Sequence, residues 1–398
     1  MNKQESSAGL FQKFFNSEKA GGLILICCTA FSLLLANSPL GPEFTHFWHH
    51  SATLRFANIT IPFSIEEWIN DGLMTIFFLL VGLEIERELY IGELSALKNA
   101  ALPILAAVGG MVVPALIHYA FNHGKPEQAG IGIPMATDIA FSLGVLSLIG
   151  KRIPISLKVF LTALAIIDDL GAVIIIAIFY TNTFSFIYLG LAIGLFGLLI
   201  FFNRLRVYTL WAYLPAGLLL WYFLYKSGVH PTLSGVLLAF AIPFRKGQKN
   251  QPSSMLQHQL HTPVNFIIIP LFALANTAIH LPAQWKDEIL SSNSLGISIG
   301  LLLGKPLGIT LFSSLGIFWG IARMPDGMNT NKLIGMGLLA GIGFTMSIFI
   351  SNLAFSNAPE LIQNSKIAVL IASVLAAILG WIVLKTDLRK SEIKGVVL

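Results

Sequence analysis

The chain has 398 residues, 55% hydrophobic and 11% charged, with a formal net charge of +5 and a mean hydropathy of +0.76. A soluble domain carries roughly 25% charged residues, so this chain has too little polar surface to cover itself in water. The bilayer is its solvent, the fold class is an all-α integral membrane protein, and the positive surplus fits anionic lipid headgroups rather than nucleic acid.

Twelve spans are predicted: 20–36, 67–86, 100–121, 130–149, 155–180, 186–203, 208–225, 229–243, 259–279, 296–318, 331–354 and 365–384. The first follows Lys13 and Lys19 as a signal peptide would. It lacks a clear small-residue cleavage site and precedes further spans, so it reads as a helix. Its adjacent Cys27 and Cys28 have no disulfide or metal spacing and read as small core residues. Residues 52–63 (ATLRFANITIPF) alternate apolar and polar around Ala57 and Asn58, which predicts a short external β-hairpin. An isolated hairpin is marginal in water, so it is expected to pair, either as a lid or, the favoured reading, as the contact of a homodimer. The eighth span is short for a bilayer about 30 Å thick. Charge asymmetry keeps it: with the N-terminus inside, 19 of the 25 Lys and Arg fall on inside segments and five outside, leaving Lys305 within a span. That split puts both termini in the cytoplasm. The spans leave no room for a soluble domain, so residues 1–398 read as a single polytopic unit.

Three carboxylates sit deep within spans: Asp138 in the fourth, Asp168 and Asp169 in the fifth. Lys305 joins them in the tenth, while Asp71 and Glu84 lie nearer the ends of the second. A charge at mid-bilayer costs roughly 2.5–3.5 kcal/mol on insertion scales, so these groups must face the bundle interior and pair, meet water or bind ions. Asp168 and Asp169 are neighbours and project about 100° apart on a helix. One can meet Lys305 while the other meets Asp138. Two carboxylates sharing a low-dielectric site cannot both stay ionised cheaply, so one takes up and releases a proton near neutral pH. Their oxygens also suit a small hard cation. A site that holds either protons or Na⁺ has the makings of an antiporter.

Two spans are interrupted beside these charges. The fourth reads IGIPMATDIAFSLGVL, where Pro134 removes a helix hydrogen bond, Gly130 and Gly132 loosen the approach, and Thr137-Asp138 follows. The eleventh reads GLLAGIGFTMSIFI, with Gly341 and Gly343 at its middle. Broken helices expose backbone dipole ends: Asp138 is placed to offset positive N-terminal ends and Lys305 negative C-terminal ones. Spans three to five and ten to twelve, approximately 100–180 and 296–384, have opposite orientation on this count. That predicts an inverted repeat from topology, without a residue-level repeat.

The segments Asn70–Glu88 (NDGLMTIFFLLVGLEIERE), Ala136–Phe141 (ATDIAF), Ala165–Val173 (AIIDDLGAV), Lys226–Gly235 (KSGVHPTLSG), Gly304–Ile309 (GKPLGI) and Gly341–Phe349 (GIGFTMSIF) resemble, in order and over nearly the whole chain, the NhaA family of sodium/proton antiporters. That family is itself a reference case for inverted repeats and broken helices. The resemblance implies a fold in which spans four and eleven cross as unwound chains beside span five. By matching motif, Asp169 is the principal cation ligand and proton carrier and Asp168 its neighbour. Thr137 and Asp138 line the crossing, so that Asp169, Asp168 and Thr137 hold Na⁺, and Lys305 interacts with the aspartate pair or the helix ends. It further implies electrogenic export of Na⁺ or Li⁺ against incoming H⁺, no cofactor, no enzymatic activity, and a bacterial inner-membrane location. Control by pH is implied at a cytoplasmic mouth of Glu84, Arg87 and Glu88 with His258 and His261. There Gln257 stands where a glutamate is expected in strongly pH-controlled members. His230 reads as a structural hydrogen-bonding residue. An intramembrane aspartyl protease would carry its aspartates on facing helices in YD and GxGD contexts, neither of which is present. A symporter for an organic solute needs a larger polar or aromatic lining, and a channel needs a continuous polar stripe.

Overall fold

The computed structural model describes residues 4–56, 59–150, 153–180, 185–244, 251–281 and 288–396. Most of them are helical, as a backbone in hydrocarbon requires. Among the described residues six helices are long and apolar enough to cross a membrane: Ile65–Tyr90, Ala100–Asn122, Ile155–Phe179, Phe186–Arg204, Ser292–Phe318 and Pro359–Arg389. Three bent pairs raise the number to nine if each is one span: Ala20–Ala36 with Gly41–His49 (115°), Pro126–Met135 with Ile139–Leu148 (45°), and Thr330–Ala340 with Phe344–Ala354 (47°). The predicted spans seven to nine are also helical, at Leu210–Ser227, Leu233–Ala241 and 252–276, but fall outside that set. Leu233–Ala241 has nine residues, about 14 Å of helix, less than half the depth of the hydrocarbon.

In chain order the helices are α1 (Gln4–Ala36), α2 (Gly41–His49), α3 (Ile65–Tyr90), α4 (Leu97–Asn122), a 3₁₀ helix (Pro126–Met135), α5 (Ile139–Leu148), α6 (Ile155–Phe179), α7 (Phe186–Arg204), α8 (Leu210–Ser227), α9 (Leu233–Ala241), α10 (252–276), α11 (Ser292–Phe318), α12 (Thr330–Ala340), α13 (Phe344–Ala354) and α14 (Pro359–Val396). Local sequence sets many of their ends. Ser64 opens α3 with a reciprocal capping box, its hydroxyl accepting from Glu67 N and its own N–H donating to the Glu67 carboxylate. Gly228, at φ +85°, closes α8 in the left-handed conformation that suits glycine. Helix α2 was not expected from hydropathy. It starts with a proline in its first turn, where the missing N–H costs nothing.

The residues gather into two compact units, one of Met1–Cys27, Ala96–Asp169 and Pro282–Leu398, the other of Cys28–Ser95 and Leu170–Leu281. In the first, α4 lies along α11 at backbone contact. A Cβ on Gly109 would stand 2.2 Å from the Gly308 carbonyl oxygen, and one on Gly308 2.0 Å from that of Gly109. Only glycine lets two helices meet this closely, which is how helices hold together where lipid removes the hydrophobic drive. In the second unit, Leu79 and Leu83 of α3, Leu199 of α7, Tyr213 of α8, Leu238 of α9 and Leu256 of α10 form one buried cluster.

The predicted hairpin also belongs to the second unit. Strands β1 (Leu54–Phe56) and β2 (Ile59–Ile61) pair antiparallel, Leu54 opposite Ile61 and Phe56 opposite Ile59. The predicted turn residues Ala57 and Asn58 lie outside the described residues. Ile61 and Phe63 pack with Trp221 of α8, and Trp68 Nε1 donates to Ala52 O at 2.8 Å, so the hairpin is anchored at its base.

Candidate functional site

The four intramembrane charges singled out in the sequence are all in the first unit and all buried: Asp138 is 2% exposed, Asp168 and Asp169 1%, and Lys305 0%. Two stretches of open backbone bring them together. Residues 136–138 run between the 3₁₀ helix and α5, and residues 341–343 between α12 and α13. The breaks touch directly, Asp138 N donating to Ile342 O at 2.7 Å. Neither Gly341 nor Gly343 has positive φ. They are glycines because a Cβ would stand 2.5 Å from Leu301 O and 2.1 Å from Ser347 Oγ respectively.

A broken helix leaves N–H groups at one end and carbonyls at the other without intrahelical partners. Asp138 serves two of the N-terminal ends. Its Oδ1 accepts from Phe141 N at 2.9 Å, capping α5, and its Oδ2 accepts from Thr345 N at 3.1 Å and Thr345 Oγ1 at 2.5 Å in the first turn of α13. One negative charge thereby faces two positive helix ends. The carbonyl ends are met from the other side. Lys305 Nζ donates to Met135 O, the last carbonyl of the 3₁₀ helix. Thr137 Oγ1 lies 3.0 Å from Ala340 O, the last of α12, and Ser142 Oγ donates to Leu339 O at 2.8 Å.

The aspartate pair of α6 joins this frame through Asp168. Its Oδ2 is 3.0 Å from Lys305 Nζ and 2.7 Å from Thr137 Oγ1. Its Oδ1 is buried with no hydrogen-bond partner among the described residues. Asp169, the next residue, lies within electrostatic reach of the same ammonium. Lys305 follows a π-turn over Gly300–Gly304 and precedes Pro306. Proline withholds one N–H from the helix, and a π-turn is the usual local adjustment at such a point. Of the two partners expected for the adjacent aspartates, Lys305 is met by Asp168, whereas both oxygens of Asp138 are turned to helix-end donors.

The residues assigned to a cytoplasmic mouth are in the second unit. Arg87 pairs with its neighbour Glu88 at 3.0 Å, Glu84 is half-buried beside them, and His261 Nε2 is 3.2 Å from Asn265 Nδ2. His258 is exposed and Gln257 buried. Helices α3 and α10 meet there through Glu86, a residue 5% exposed whose carboxylate accepts from Ser253 Oγ at 2.9 Å. Glu86 was missed because one more acid in LEIERE reads as a solvated helix end. Thr345 was also missed, although it stands in the GFTMS run directly after the break, where a hydroxyl near a helix N-terminus is a recognisable signal. His230 contacts the carbonyl oxygen of Tyr180 at 2.9 Å.

Buried carboxylates and an ammonium, set where two interrupted helices touch in a chain of membrane-length helices, define an ion-coupled secondary transporter. The family model described as Na+/H+ antiporter 1 matches residues 12–384, and the chain belongs to that family. It is 56% identical to the Na(+)/H(+) antiporter NhaA of Dechloromonas aromatica (strain RCB) over 375 residues, 94% of each chain. It is 54% identical to that of Flavobacterium psychrophilum over 387 residues, 97% of this chain and 98% of the relative. With that of Vibrio campbellii it shares 47% over 391 residues, 97% and 98% of the two. The protein is therefore a multi-pass protein of a bacterial membrane and a transporter rather than an enzyme. The family needs no cofactor, because the transported ions are its substrates.

Proposed function

We infer that this sodium/proton antiporter exchanges its ions at the crossing of the two broken helices, exporting Na⁺, or Li⁺, against incoming H⁺. Antiport follows from family membership; the residues, direction and coupling are our reading. The observation that carries it is the Thr137–Asp168–Lys305 contact, with a second Asp168 oxygen buried and open to a further partner. Asp169 is the principal ligand and proton carrier, with Asp168 and Thr137 completing the oxygens around Na⁺. Asp138 and Lys305 balance the helix ends, so the breaks persist without cargo. When a proton binds, the carboxylate loses the charge that holds Na⁺; when Na⁺ binds, its charge expels the proton. More protons than sodium ions cross per cycle, so the inside-negative potential, worth roughly 2.3 kcal/mol per charge per 100 mV, helps drive sodium out.

The architecture we propose has twelve spans with both termini cytoplasmic in the inner membrane, in contact with its lipid, and an inverted repeat over approximately 100–180 and 296–384. The repeat is supported by the similar bends of the two broken pairs, 45° and 47°. A homodimer forms through the hairpin at 52–63, whose short strands are anchored at their base and leave Leu54 exposed. Activity responds to pH through Glu84, Arg87, Glu88, His258 and His261.

Asp169→Asn tests the core of this reading. In sealed vesicles the variant is expected to insert normally and to lose sodium-induced proton release altogether. Release at the native rate would remove Asp169 as carrier.

A further inference from the structure

Asp387 of α14 is a buried carboxylate, 7% exposed, to which the ion-exchange reading gives no part. It gathers the segment that leads into α12. Asn329 Nδ2 donates to its Oδ2 at 3.0 Å, Asn331 Nδ2 donates to its Oδ1 at 3.2 Å, and Lys332 Nζ stands 3.9 Å from Oδ2. The same donors build the helix start: Asn329 Oδ1 caps α12 by accepting from Lys332 N at 2.8 Å, and Lys332 Nζ donates to Gly327 O at 2.6 Å. Farther along, α12 lies on α14 through apolar contacts. A Cβ on Gly335 would meet Leu384 at 2.7 Å, and one on Gly380 would meet Leu339 at 2.8 Å. Its far end is Ala340, whose carbonyl oxygen is shared with Thr137 beside Asp168.

Apolar contact is non-directional and tolerates sliding along a helix axis. A carboxylate held by two amides and an ammonium is directional and does not. We propose that Asp387 is a positioning residue for ion exchange: it sets the axial position of α12 and so the placement of the Ala340 carbonyl against Thr137 and Asp168. The proposal rests on the ion-site reading above. The strut is eleven residues long, about 16 Å from its base to its tip. A shift at the base is transmitted as a rigid displacement because the helix between is hydrogen-bonded throughout and buried along α14.

Two measurements on the full-length protein test this. In vesicles, Asp387→Ala is expected to raise the half-saturating Na⁺ concentration by about threefold or more while the maximal rate stays within about twofold, the mark of weakened binding rather than a damaged exchange step. Asp387→Asn, which keeps one acceptor oxygen, recovers part of the loss. Asn331→Ala, on an exposed residue, shifts the same parameter less, and the double variant with Asp387→Ala falls short of the product of the two single effects. By hydrogen exchange, the amides of 330–340 open faster in Asp387→Ala. A folded Asp387→Ala protein with native sodium dependence and native α12 protection overturns the proposal, as do independent effects in the double variant. Should Asp387→Ala fail to fold, an unchanged sodium dependence in Asn331→Ala overturns it instead. Hydrogen exchange reads the strut without transport, so it can fail while Asp169→Asn still abolishes exchange, and the converse.

Discussion

The two units share one kind of helix interruption and differ in another: both hold π-turns, while the outright breaks at the ion site lie in the first. In the second, α3 and α10 lose the regular pattern at π-turns, Trp68–Leu73 and Val264–Ile268, yet each helix continues through. The first of these turns contains Asp71, and the hydrogen bond that joins the two helices beside it is between neutral amides. Asn70 within the first π-turn accepts from Asn276 Nδ2 at 2.7 Å, and Asn276 also donates to Phe272 O at 3.1 Å. In the first unit the chain breaks outright at 136–138 and 341–343, and the groups that answer are a carboxylate and an ammonium. A π-turn leaves one or two backbone groups out of register, which a neutral amide can serve. A full break leaves as many as four N–H and four carbonyl groups at each new pair of ends, with a net dipole behind them. At these two breaks the opened backbone ends are met by buried charge, which in the reading proposed above is also the charge a cation and a proton compete for.

If that contrast is right, removing charge from the first unit hurts far more than removing an amide from the second. Lys305→Ala leaves the Asp168 carboxylate and the Met135 carbonyl buried without their cation, a loss on the order of 3 kcal/mol or more. Thermal melting of the purified protein should drop sharply, and any surviving transport should show altered electrogenicity. A native melting curve would erase the distinction. Asn276→Ala removes the amide pair and is expected to cost about 1 kcal/mol with exchange retained in vesicles. A loss as large as that of Lys305→Ala would mean that the two kinds of interruption are equally dependent on polar support. The smallest effect on folding is expected from Gln257→Glu, which adds a carboxylate one helical turn from Ser253, the partner of Glu86. A glutamate is neutral below its pKa and charged above it, whereas glutamine never changes, so the proposed mouth would gain one more group whose charge varies with pH. The pH profile of exchange should steepen, and a flat, unshifted profile would discard the mouth as a sensor.

Much of this was legible without coordinates. Composition alone assigned the solvent, and helices follow because lipid offers the backbone no partners. Pro134 and the glycines at 341 and 343 marked the breaks, since local chemistry disrupts a helix wherever it is later packed. The four buried charges stood out because hydrocarbon tolerates none unpaired. Helix α2 did not stand out, being short and too polar to read as a span. Nor did Glu86, at the end of the predicted second span, or Asp387, just past the twelfth, where acids are ordinarily solvated.

What the sequence could not decide was pairing. Two neighbouring aspartates on a helix offer two choices of partner, and nothing local says that Asp168 is the one to meet Lys305. Asp138 and Thr345 stand 207 residues apart, and Thr137 and Ala340 203 apart. The ends opened by the second break are closed by Asp138 and Thr137 of the first, and Lys305 of α11 meets the Met135 carbonyl, so only the folded chain brings these groups within hydrogen-bond reach. Backbone breaks are local events and can be read along the chain. Their compensation is a long-range event and exists only in the folded protein.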